Sequence, residues 1–152
     1  MRHRILTFAT IASVAAGVSL FVAPSASASG YGCSGSQIDT YNVNHGSTLF
    51  GVVHLYYNSS TGKNCAVTVK TAAGGYGTKS QIDVVIDRCA TPGSHPGYDC
   101  YSLAKVDDSG NYAEYAGPVS LSAAGSCIAV YGYVSTPNYV SADVQTGPVH
   151  CK

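Results

Sequence analysis

Chemistry in this chain would have to come from its six cysteines, five histidines, eight carboxylates or twelve tyrosines. The cysteines are Cys33, Cys65, Cys89, Cys100, Cys127 and Cys151, and the tightest gap, Cys89 to Cys100, holds ten residues. Structural zinc needs close Cys or His pairs such as C-x2-C, so no metal site is expected. A catalytic thiol needs an unpaired, activated cysteine, and an even count leaves none over. Three disulfides are the expected use of these six sulfurs.

The histidines are scattered. His45 and His95 fall in turn regions, His150 lies near the terminus, and His54 stands between Val53 and Leu55 in an apolar stretch. No two share an element at metal-ligand spacing, and His54 reads as a structural histidine. A Ser/His/Asp triad would need a nucleophile motif, but no G-x-S-x-G occurs, and Asp108-Ser109-Gly110 lacks the surroundings of a serine-protease site. Asp83 and Asp87 lie on one strand face about 13 Å apart at 3.3 Å per residue. Glycosidase carboxylates stand roughly 5–9.5 Å apart. Asp107-Asp108 reads as turn chemistry, and Asn58-Ser59-Ser60 matches a glycosylation sequon. The expectation is a non-enzymatic protein with no cofactor.

Tyrosine is the anomaly of composition: twelve are present with no Trp, and Phe50 is the only Phe beyond residue 28. Tyr101, Tyr131 and Tyr133 share one strand parity, while Ala104, Ile128 and Val130 take the other. Exposed Tyr rings stack on sugars or pack a protein partner, because each combines a rigid apolar face with a hydroxyl that stays wet. The plain alternative is cross-strand pairing that stiffens a sheet. Tyr101, Tyr131 and Tyr133 are therefore the candidate binding face.

The elements that must hold these residues have a period of two almost throughout. Gln81 to Arg88 places Ile82, Val84 and Ile86 inward and Gln81, Asp83 and Asp87 toward water. Cys65 to Thr71 alternates too, predicting Cys65, Val67 and Val69 inside and Thr68 and Lys70 outside. Leu49 to Tyr57 is apolar on both faces, as a covered central strand would be. Further strands are predicted at 37–43, 98–106, 112–117, 126–134 and 139–145. Between them lie 58–64, 73–77, 91–97 and 107–111, rich in the Gly, Pro, Asn and Asp that reverse a chain. About eight short strands predict an all-β fold, an antiparallel sandwich or a small barrel. A disulfide joins Cα atoms within about 7 Å. Strand ends that lie together favour Cys33–Cys65, Cys89–Cys100 and Cys127–Cys151 among the 15 pairings that six cysteines allow.

Residues 1–28 have the form of a secretory signal. Arg2 and Arg4 precede an uncharged, mostly apolar run from Ile5 to Val22, and Ala26 and Ala28 supply the small residues of a cleavage site. The run is shorter than the roughly 20 residues a membrane span needs. Cleavage after Ala28 leaves one secreted β-domain over 29–152, a usual size for one core. That part carries six basic and eight acidic side chains and no basic stripe. Nucleic acid is not an expected partner on that ground, and without a basic amphipathic helix, membrane association after cleavage is not expected.

Three segments have a familiar form: 55–71, beginning Leu55-Tyr56-Tyr57-Asn58, then Tyr112-Ala113-Glu114-Tyr115-Ala116-Gly117-Pro118-Val119, and Gly125-Ser126-Cys127-Ile128. The chain resembles the spore-associated protein A family of small exported actinobacterial proteins, from Gly32-Cys33-Ser34-Gly35 to Cys151. The resemblance implies a secreted protein found with spores or the cell surface, without an established enzymatic role or active-site residues. The leading functional expectation is a structural or interaction protein whose partner is a cell-surface polymer or an extracellular protein. The alternatives are a carbohydrate-binding module using exposed Tyr, and an inhibitor of extracellular proteases presenting the loop Thr91 to Tyr98.

Overall fold

The structure, a computed structural model, describes residues 30–92, 94 and 99–151. Residues 1–29, where the sequence predicts a secretory signal, His95 and most of the 91–98 loop lie outside the described residues. Eight strands follow in order: β1 (Ser36–His45), β2 (Thr48–Asn58), β3 (Lys63–Lys70), β4 (Ser80–Cys89), β5 (Ser102–Tyr112), β6 (Tyr115–Ser122), β7 (Cys127–Ser135) and β8 (Ser141–Gln145). They form two four-stranded antiparallel sheets, β1-β2-β3-β6 and β5-β4-β7-β8, here called sheets A and B. The fold is thus the sandwich rather than the barrel.

Alternation builds the core. Ile82, Val84 and Ile86 of β4 and Ile128, Val130 and Val134 of β7 point from sheet B toward Val53, Leu55 and Ala66 of sheet A, all buried. The sheets approach closely at Gly132, where an added Cβ would lie 2.3 Å from a Val53 methyl and 2.9 Å from the Thr68 hydroxyl. Only glycine fits that approach.

Three expectations fail, each for a physical reason. Strand β3, not β2, is buried on both faces, and Thr68 and Lys70 face the core instead of water. Lys70 is only 3% exposed. Its ammonium donates to the Thr78 carbonyl (2.8 Å), the Ser80 hydroxyl (2.6 Å) and the Tyr112 carbonyl (2.9 Å), tying β3 to β4 and β5. These neutral acceptors substitute for water, and burial pushes the amine's pKa below its ordinary value. Asp107 and Asp108 are not a turn but the middle of β5, paired with Val85 and Val84. The actual reversal is the two-residue corner Ala113-Glu114, which carries the chain from sheet B to sheet A. Pro118 sits within β6, and this is tolerated because β6 is an edge strand.

The disulfides join Cys33 to Cys65, Cys89 to Cys100 and Cys127 to Cys151, the pairs that the strand ends favoured. No cysteine is left free.

Candidate functional site

The candidate tyrosines divide. Tyr131 and Tyr133 sit two apart on β7, on the outer face of sheet B, opposite Gln145 and Asp143 of β8 and Val85 and Asp83 of β4. Both are half-buried. Burial, followed by the nearby Asp143 and Asp83 carboxylates, raises the pKa of the Tyr131 phenol. Tyr101 does not join them. It precedes β5 and accepts the Ala90 N–H beyond the end of β4, five residues from Val85 and so about 16 Å along the sheet. The groove beside Tyr131 is lined by Asp83, Asp87, Lys105, Asp107 and Gln145, an acidic setting. Ser109 donates to Asp83 and Ser102 to Asp87.

A second aromatic cluster lies on the outer face of sheet A. Here residues 30–35 cross the sheet as a strap. Gly35 passes over Tyr57 of β2, where a Cβ would lie 2.3 Å from the carbonyl oxygen, Cys33 bonds to Cys65 of β3, and Gly32 rests on Pro118 of β6. Beneath it Cys33, Tyr56, Cys65, Val67 and Val69 form a small core of their own. This strap is why β3 is covered on its outer side.

The strap delivers Tyr31 in a left-handed conformation, φ 54°, uncommon for a bulky residue. Its ring centroid lies 5.5 Å from that of His54 on β2 and 5.5 Å from that of Tyr115 on β6. Tyr76 joins from the β3–β4 connection, where the Gly77 N–H donates to the Ala113 carbonyl and sets the loop against the sheet-switching corner. The Tyr76 hydroxyl is hydrogen-bonded to the Glu114 carboxylate, which holds the phenol proton on, and Tyr31 and Tyr115 are close enough to act on it electrostatically. Tyr31, Tyr76 and Tyr115 are 42%, 51% and 37% exposed. The Gln37 side-chain oxygen pairs with His54 Nδ1 at 3.1 Å, and burial lowers the pKa of that imidazole. These three rings escape sequence inspection because they come from the strap, a loop and an edge strand; the only local hint is Tyr31 two residues before Cys33.

Each described histidine is engaged structurally. His45 stacks on Phe50 with centroids 5.3 Å apart and pairs with the Ser141 carbonyl. His150 faces Asp39 at 3.3 Å, and Asp39 also accepts the Tyr41 hydroxyl. The Thr40 N–H, foremost, holds the Asp39 carboxyl below the ordinary carboxylate range. Among the described residues, no three His, Cys, Asp or Glu side chains gather into a group that could hold a metal.

Fold and faces together define a class: a disulfide-stapled antiparallel β-sandwich with aromatic surfaces on both sheets. No family model matches the chain, and no solved structure matches it. Spore-associated protein A of Streptomyces coelicolor is 34% identical over 146 aligned residues, covering 89% of this chain and 84% of that protein. The chain belongs to the spore-associated protein A family.

Proposed function

We propose that this protein is exported, loses residues 1–28, and works outside the cell as a non-enzymatic structural or interaction domain at the spore or cell surface. The observation that carries this reading is that all six cysteines are bonded in three bridges. Such bridges persist in oxidising compartments and are rare in a reducing cytosol. The name of the Streptomyces coelicolor relative ties that protein to spores, which supports the same location here. Its partner is a surface polymer or an extracellular protein meeting a rigid, hydroxyl-rich face.

Fractionation of a producing culture, with mass spectrometry of the natural protein, tests this. The expected species is found in the medium or on the surface, begins at Ser29 and takes up no alkylating reagent without prior reduction. A cytosolic protein with an intact leader, or one with six alkylatable thiols, would end the reading.

A further inference from the structure

The cluster on sheet A is built from amphipathic groups at every position. Three phenols supply flat apolar faces and wet hydroxyls, and the Gln37 amide, the His54 imidazole and the Glu114 carboxylate stand at its rim. Of the aliphatic side chains on the same face, Val67 and Val69 are buried under the strap and Val52 is half-buried. What remains exposed lacks the dry apolar centre of a protein interface. It matches the two-sided chemistry of a pyranose, a C–H face edged by hydroxyls.

Charge separates the two aromatic faces. Tyr131 and Tyr133 stand among Asp83, Asp87, Asp107 and Asp143, offset by Lys105. On sheet A the cluster carries a single carboxylate, Glu114, bonded to the Tyr76 hydroxyl, and burial lowers the pKa of the His54 imidazole. The sheet A cluster therefore favours an uncharged ligand. It is also preorganised: the left-handed Tyr31 is pinned by the Cys33–Cys65 bridge two residues on and by Gly32 against Pro118. Strain of this kind persists where surrounding contacts over-determine it, and a ring fixed in advance loses less entropy on binding.

We propose that Tyr31, Tyr76 and Tyr115 form a stacking platform for an uncharged pyranose polymer, with Gln37, His54 and Glu114 bonding its hydroxyls. The proposal rests on the surface reading only for where the polymer is met.

The test is depletion of the purified secreted protein by washed chitin and by microcrystalline cellulose, comparing the natural protein with Tyr31→Ala, Tyr76→Ala and Tyr115→Ala. Tyr131→Ala/Tyr133→Ala serves as the control for the other sheet, and thermal melting checks that each variant folds. Tyr31→Leu keeps apolar cover without the ring, so the platform stays testable if Tyr31→Ala unfolds. The expected result is retention on at least one polymer, weakened about tenfold by each loss of a platform ring, a change equal to about 1.4 kcal/mol. Retention should be unchanged in the control and at about 1 M NaCl, where exposed charges are screened. Failure to bind either polymer, retention indifferent to the three rings, or binding that follows the control or collapses in salt would overturn the proposal. An exported, oxidised protein that ignores both polymers removes the platform and leaves the surface reading standing. A cytosolic, reduced protein that binds chitin does the reverse.

Discussion

Asp108 is half-buried inside β5, with one carboxylate oxygen accepting the Gly117 N–H and the other accepting the Tyr112 hydroxyl, both at 2.7 Å. It ties β5 to β6 beside the corner where the chain changes sheets. Asp107 alternates to the outer face and is exposed. Two adjacent aspartates thus have unrelated roles. Asp108→Ala strips two part-buried donors of their acceptor and should cost about 1–3 kcal/mol. Asp107→Ala should change stability by no more than about 0.5 kcal/mol. Urea denaturation of the two variants side by side checks this, and equal effects would contradict it. The sequence alone could not separate them, because Asp107-Asp108-Ser109-Gly110-Asn111 has the composition of a turn and becomes a strand only by pairing with β4.

At the scale of elements, the two sheets approach closely where β7 crosses β2 and β3. The Gly132→Ala methyl would press on Val53 and on the Thr68 hydroxyl, and overpacking of this kind costs about 1–3 kcal/mol. A lowered denaturation midpoint with an unchanged slope is the expected readout; an unchanged midpoint would mean that the sheets yield freely. Strands such as β4 were legible because Ile82, Val84 and Ile86 alternate with Gln81, Asp83 and Asp87, so one face had to be dry. Strand β3 departs from its sequence pattern for a related reason. Alternation reports that two faces differ, but not that both are covered, and Thr68 and Lys70 look like outward residues until Thr78, Ser80 and Tyr112 supply acceptors inside. The sheet A cluster was illegible because a strap, a loop and an edge strand converge only in three dimensions.

Across the whole molecule five phenols share one direction of response to pH. Tyr41, Tyr56, Tyr76, Tyr112 and Tyr131 all hold their protons above the ordinary value of 10.0. Burial is the leading cause for Tyr41, Tyr56 and Tyr131, and a bonded carboxylate for Tyr76 and Tyr112. Through these five phenols the folded chain binds more protons than the unfolded one above that value, so their contribution to stability falls as pH rises there, while Lys70, whose pKa burial lowers, acts in the opposite sense. The phenol contribution is fully present below pH 10.0 and is lost as these groups ionise. Absorbance at the phenolate band should show a late-ionising class that merges with the rest when the protein is unfolded; one uniform transition near the ordinary value would refute it. The order of the bridges has a different consequence. Cysteine 33 closes with 65, 89 with 100 and 127 with 151, so no loop encloses another sulfur. A polypeptide emerging amino end first therefore meets each correct mate before the next thiol appears. Oxidation in order of emergence gives the native map without isomerase-driven reshuffling.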